Sequence, residues 1–559
     1  MLEPESPFEQ PWHRHRLRVP REDGTLFCRP PFDEALKAVE ANGDALNTSN
    51  VNVQGRTLSH LRLWTAEKAL HAAAEYTGRI TGTPVNVPAA DNLRGFIAAG
   101  HQPSLFHAGV WAKNFAIGEM ASRSGRVAIN LIVDNDATAA SSLRVPAGNR
   151  ERPRVIDVAF DASRAAVPWE ESRIRDMPLF TSFGERVAGA MARWNIAPLI
   201  AEMWPDAVAA AERTGSPAES FTAARRRLER RWGLDNLELP LSRLPSLDPF
   251  LWFACHLFAH AGRFLDVHNR ALMQFRQINR VRSRTHPVPE LTRRNDWIET
   301  PFWIWHERDT ARRRAFVRLR EREVELSDGV EFSVRLPLNE AMDACCGVEV
   351  LRELPAQGVR LRTRALTTTL FARLCLADTF VHGIGGAKYD EMTDRIIARF
   401  YGLRAPAFVA FSATAHLPLG RPFGASVSDL RRLRHQARDL RYNPDRHLPP
   451  ETSPAVRAMI DEKRALIEQQ LRAQTSGLSK QQRRERSRIN AARYRRLREL
   501  DDSLAAYTSA EQRRVQARID NVRQQLAADA VLRNREFSFA LFPEEVLRPF
   551  FGSMVKADA

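Results

Sequence analysis

Lysine is scarce in this 559-residue chain, occurring only at positions 37, 68, 113, 388, 463, 480 and 556 among 83 basic residues. Cysteine is scarcer still. Cys28, Cys255, Cys345, Cys346 and Cys375 form no C-x-x-C pair, which excludes a disulfide framework and a structural zinc. The adjacent Cys345 and Cys346 are expected to be two small buried hydrophobes, not a thiol centre. No apolar run approaches the roughly 18 residues of a membrane span, so a channel is excluded. The opening stretch MLEPESPFEQPWHRH carries neither the apolar segment of a secretory signal nor an Arg-rich transit helix, and the expected location is the cytoplasm. Two phosphate signatures are also missing. Without G-x-x-x-x-G-K-[ST] or a full G-x-G-x-x-G, a P-loop ATPase and a standard NAD dehydrogenase are both disfavoured.

Apolar residues are plentiful, at 44% of the chain, and the length suits three or four folded units of roughly 100 to 200 residues each. The net charge of +16 is almost wholly arginine. That excess is read as compositional, which weakens a nucleic-acid interpretation and gives weight to each retained lysine. A compact ammonium beside a glycine-rich turn is suited to phosphate as a point charge, where arginine offers a planar fork.

Two strand–helix–strand units stand out. The first is GFIAAG (95–100), the helical run VWAKNFAIGEMASRSG and VAINLIV (127–133). The second, over 360–412, is the helical run LRTRALTTTLFARLCLAD, then TFVHG, the turn IGGAK, the helix YDEMTDRIIARFYG and APAFVAF. Near-continuous hydrophobicity in the strands predicts a parallel sheet buried on both faces. Between the units, 249–285 reads as one long helix, and the stretch around Trp297, Phe302, Trp303 and Trp305 as a proline-rich aromatic loop and strand.

From about residue 427 the composition turns to Arg, Gln, Glu, Leu and Ala. Pro454 after Ser453 marks a helix start, with Val456, Ile460, Ile467 and Leu471 at helical spacing. A second seam runs Leu497, Leu500, Leu504, Tyr507, then Val515, Ile519, Val522, Leu526, which predicts a coiled coil. Thr508 with Glu511 would serve as a capping box, leaving open whether the seam is one helix or two. The arginines of QQRRERSRINAARYRRLRE are read as a solvated face in preference to a phosphate-binding stripe, because acids are interspersed.

The expected fold is therefore α/β: a Rossmann-like parallel-sheet core with helical insertions and a C-terminal α-helical coiled-coil domain. N-terminal helices and the first half of the core take 1–150, an inserted connective and helical region with a continuation of the core 151–355, and the second half of the core 356–425. The coiled coil takes 426–535, and a segment that docks back on the core takes 536–559.

Three polar clusters follow strands, where open α/β sheets bind ligands. The first holds Gly100, His101, Gln102, His107, Gly109 and Lys113. Its alternative is a turn with a helix-capping histidine. The second is Asp134, Asn135 and Asp136, whose carboxylates suit an amine, a hydroxyl, Mg²⁺ or base catalysis, or else cap a turn. The third is His382, Gly383, Ile384, Gly385, Gly386, Ala387 and Lys388, a glycine-dense turn ending in one of the rare lysines. His256 and His260 are read as core histidines, and no structural metal is expected.

The segments GHQPSLFHAGVWAKN, LIVDND, FVHGIGGAKYDEM and ALFPEEVL, in this order, resemble the bacillithiol biosynthesis cysteine-adding enzyme family. The motifs cover about a fifth of the chain. His101 stands where that family usually has Gln, His107 where it has Gly, and Asp134-Asn135-Asp136 replaces a longer acidic-His stretch. The first motif is also similar to the signature turn of class I aminoacyl-tRNA synthetases and nucleotidylyltransferases at His107 and Gly109.

The resemblance implies a ligase joining cysteine or another amino acid to the amine of a glucosamine-malate-like acceptor, with ATP or ADP and Mg²⁺ in the core. It implies a small thiol-pathway substrate, while the coiled coil is expected to form a homodimer and the composition leads to the expectation of no membrane and no nucleic-acid partner. Asp134, Asp136 and His107 would be catalytic. Gly100, His101, Gln102, Gly109, Lys113, His382, Gly383, Gly385, Gly386 and Lys388 would bind the cofactor. A non-catalytic relative that binds a small ligand and an Arg-rich nucleic-acid-binding protein are the alternatives.

Overall fold

A computed structural model describes residues 7–9, 17–138, 140–163, 165–473, 476–477 and 479–554. Most of the opening stretch and Lys556 lie outside them. The chain is mixed α/β and forms two compact units, one comprising 1–145, 156–418 and 535–559, the other 146–155 and 419–534. Among the described residues no helix is long and apolar enough to cross a membrane.

The first unit is organised on a six-stranded sheet: β1 (Thr25–Arg29), β2 (Phe96–His101), β3 (Val127–Ile132), β4 (Leu237–Pro240), β5 (Thr379–His382) and β6 (Val409–Thr414). Their spatial order is β1-β6-β5-β2-β3-β4, parallel throughout except for the antiparallel edge strand β1. Phe96, Ile97, Ala98 and Ala99 in β2, and Ile129 and Leu131 in β3, are essentially inaccessible to solvent. Such strands have no polar face to alternate because helices cover both sides. The order of the parallel strands reverses between β2 and β5, so the chain leaves these two neighbours toward opposite sides, which is the position where open sheets of this kind bind ligands.

Two helices begin there. α1 (Ala108–Ser124) follows β2 and stops at Gly125, whose φ of +63° terminates it in the left-handed region. α2 (Ile384–Ile396) follows β5 directly.

Three sequence expectations are corrected in this unit. VRLRT (359–363) is a strand, not helix, and joins an antiparallel sheet. Its alternating side chains, with Val359 and Leu361 buried, have the two-residue period of a strand. The aromatic loop is the long strand Trp297–His306 of that same sheet, paired with Asp309–Leu319. The long helix of 249–285 is two, Asp248–Ala259 and Ala261–Asn279, broken at His260.

The second unit contains α3 (Val427–Tyr442), α4 (Pro454–Arg472), α5 (Lys480–Tyr507) and α6 (Ser509–Leu532). Ser453 caps α4 ahead of Pro454, as its sequence suggests. Leu433 and Leu440 of α3 pack with Val515 and Ile519 of α6. The seam is two helices. Thr508 forms no capping box; its hydroxyl instead donates back to the Ala505 carbonyl. Leu471, expected in an apolar seam, is 80% exposed.

Candidate active site

The three polar clusters all lie at the carboxyl edge of the parallel strands, but they do different things there. In the first, His107 is the N-cap of α1: its Nδ1 accepts from the Gly109 amide at 3.1 Å, meeting one of the free N–H groups of the first turn. The opposite ring nitrogen lies 3.5 Å from Glu536. Ser538 forms a β-bridge with His107, the Phe539 amide donates to the Phe106 carbonyl, and the Phe539 ring packs on Trp111. The chain's own C-terminal segment thus occupies the space above this turn.

Gly109 serves that packing. A Cβ there would lie 2.4 Å from the Ala413 carbonyl oxygen and 2.9 Å from Arg535, so the close approach is to protein, not ligand. Gly109→Ala is expected to lower stability by about 1 to 3 kcal/mol through overpacking, measured by denaturant unfolding. An unchanged midpoint would show that the turn has slack.

Lys113 is buried and donates to the Gly100 carbonyl at 2.6 Å; burial lowers its pKa to about 8. His101 is also buried, packed edge-on against Phe106, and burial holds its pKa well below the usual histidine value. Gly100 lies under the Phe380 ring, where a Cβ would sit 3.3 Å from it. These three groups are engaged in packing. Gln102 makes the link to the second cluster, donating to Asp136 at 2.6 Å.

Asp136 also accepts from Arg312 at 3.1 Å and from the Ala137 amide, while Asn135 donates to the Thr363 carbonyl. Both residues tie loops together. Asp134 turns the other way, into a cavity of about 380 Å³ lined also by Arg79, Glu170, Arg213, Ser242 and Arg243. Its carboxylate is 5% exposed and accepts from the Ser242 amide at 2.9 Å and from the Ser242 hydroxyl. Burial, reinforced by Glu170 and opposed by these hydrogen bonds, pushes its pKa up to about 7.

The cavity is electropositive. Glu219 is neutralised by Arg79 at 2.6 Å and Glu170 by Arg362 at 2.6 Å. Arg213 gives its donors to main-chain carbonyls of Ala209 and Ile80, and Arg243 has no side-chain partner among the described residues. Guanidinium charge without a matching carboxylate, next to an acid that holds its proton near neutrality, suits an anionic ligand. Arg79, Glu170, Arg213, Ser242 and Arg243 were not legible as site residues. The one available signal was that Ser242 and Arg243 closely follow LELP, a short strand among helices.

The third cluster is the open one. Gly383 is the N-cap of α2, and the ideal Cβ positions at Gly383 and Gly385 have no atom within 4 Å. Lys388, one turn along, is exposed. Gly386 differs, since a Cβ there would lie 2.9 Å from Nδ1 of His382. His382 itself is buried, with Nε2 3.0 Å from Asp390, which in turn binds Arg373 at 2.6 Å. This buried triad fixes the start of α2 beneath the turn. Neither the glycine turn nor Gly109, His107 or Asp136 lines the Asp134 cavity.

Among the described residues no three His, Cys, Asp or Glu side chains group to hold a metal ion. His256 is buried and His260 half-buried. The expectation for Cys345 and Cys346 is overturned: both are exposed at the start of a short helix, with their sulfurs 3.6 Å apart. Gly347 takes the buried place beside them, against Cys255.

No family model matches the chain, and no curated protein is significantly similar to it.

Proposed function

We propose that this chain is a carbon–nitrogen ligase built on a Rossmann-like core, with nucleotide phosphates seated at the Gly383–Lys388 turn and an anionic acceptor in the Asp134 cavity. The observation that carries the reading is the unobstructed helix N-terminus at Gly383 and Gly385, placed where the strand order reverses. Free N–H groups of the first turn of α2 favour negative charge, and the exposed ammonium of Lys388 adds to it. The Gly383–Lys388 turn would hold the phosphates of ATP or ADP, with Mg²⁺ accompanying the nucleotide. ATP, when bound, supplies the leaving group that activates an amino-acid carboxyl.

The chain's own part is binding and proton handling. When the acceptor amine forms its bond to the carboxyl carbon, the carbon–oxygen bond to the leaving group breaks and the nitrogen loses a proton. Asp134, with a pKa near neutrality, is matched to take that proton. The arginines around it hold the acceptor's acid groups. The family resemblance supplies the substrates: cysteine and an aminosugar malate.

Incubation with cysteine, glucosamine malate and ATP is expected to give the amide, read by mass; no product with any amino acid would remove the ligase reading. A separate test isolates the phosphate seat. Gly385→Ala puts a methyl into the open turn, so it is expected to raise the melting temperature of the free protein through helix propensity worth about 1 kcal/mol. The same change is expected to cut the stabilisation by ATP, which for the native chain is RT ln(1 + [L]/Kd). An undiminished ATP shift in this variant would place the nucleotide elsewhere.

A further inference from the structure

Helix α5 has two faces of opposite character. Leu500 and Leu504 are buried, and Arg486, Arg493 and Leu497 on the same side are half-buried. On that side, Arg496 pairs with Glu462 and Lys463 pairs with Asp501, joining α5 to α4. At 100° per residue, Lys480, Arg484, Arg488, Arg495 and Arg498 all fall within about 80° of one another on the opposite side. All five are exposed. The stripe runs about 27 Å along the axis at 1.5 Å per residue.

The acids of this helix flank or end the stripe: Glu485 falls about 60° round the helix from Arg488, Glu499, about 20° beyond Arg488, is paired with Arg496 at 3.1 Å, and the exposed Asp502 closes the stripe one turn past Arg498. Arg484, Arg488 and Arg495 have no side-chain partner among the described residues.

We infer that this stripe is a docking surface for the phosphate backbone of a nucleic-acid duplex. A straight row of five cations, spaced by one or two helical turns, complements a polyanion of regular charge spacing. An anionic membrane is the poorer match. A helix that lies in a lipid interface buries a continuous apolar face beside its basic one, whereas on α5 Leu500 and Leu504 are buried in the protein and the exposed Ile489, Tyr494 and Tyr507 lie scattered on two flanks. The inference rests on the second unit alone and is independent of the ligase reading.

The test is fluorescence anisotropy of a labelled mixed-sequence 20-base-pair DNA duplex with the full chain. Binding is expected to weaken with salt at a slope of about −4 to −5 in log K against log concentration, the release expected for five phosphates. The triple variant Arg484→Glu, Arg488→Glu, Arg495→Glu changes only exposed positions and is expected to lose about tenfold or more in affinity. A control with the same charge change in the first unit, Arg282→Glu, Arg308→Glu, Arg322→Glu, is expected to bind as the native chain does. No binding at low salt, a flat salt profile, or equal loss in both triples would overturn the inference. Binding to phosphatidylserine vesicles in place of the duplex would overturn it too.

Discussion

Asp134→Asn is expected to remove a pH dependence of stability on the order of 4 kcal/mol. The carboxyl has a pKa of about 7 in the folded chain and 3.8 as a free side chain, a difference of about three units at 1.36 kcal/mol each. Because the folded pKa is the higher one, the folded state binds the proton more tightly. Its contribution is fully present below pH 3.8 and is lost as pH rises through 7. The native chain should therefore lose about 4 kcal/mol from this group between pH 4 and pH 8, and the asparagine variant, a neutral mimic, should not. Urea unfolding of both proteins at the two pH values measures the difference. Identical pH slopes would show that Asp134 is ordinarily ionised and solvated, and would take away its fitness as a base.

A second large effect is expected at Asp390. Its carboxylate is 1% exposed and bridges Arg373 and His382. Burial alone would raise its pKa, but Arg373 and His382 hold it well below the usual carboxylate range. Asp390→Ala leaves a guanidinium that is itself 1% exposed without its main partner. Breaking such a pair costs about 3 to 5 kcal/mol, since the remaining charge stays desolvated. The same variant should weaken the ATP response beyond its effect on stability, because His382 sets the position of the glycine turn through its contact at Gly386. A loss of under about 1 kcal/mol would mean that Arg373, through Asp394 and the Pro406 carbonyl, needs no third partner.

The strands of the parallel sheet were legible where they are long and apolar. GFIAAG and VAINLIV appear as Phe96–His101 and Val127–Ile132, since burial on both faces leaves a hydrophobic run with no other explanation. β4 was not legible: four residues containing a proline carry too little periodicity to be separated from their helical neighbours. The roles within the clusters were less legible than their places. Glycine, histidine and lysine after a strand look alike whether they face a ligand or the rest of the chain. What separates Gly109 from Gly385 is the carbonyl of Ala413 on one side and open space on the other, contacts that span hundreds of residues. The same is true of α5, where the arginines of one segment sort onto a half-buried and an exposed face only once Leu500 and Leu504 show which side is buried.

Hydrogen–deuterium exchange of the full chain with and without saturating ATP reads the phosphate seat directly. Protection is expected at the first-turn amides 384–386, which precede the first intrahelical hydrogen bond from Ala387 to Gly383, with none at 107–111, which the C-terminal segment already covers. Protection at 107–111 instead, or no change at either helix start, would contradict a nucleotide held by the glycine turn after β5.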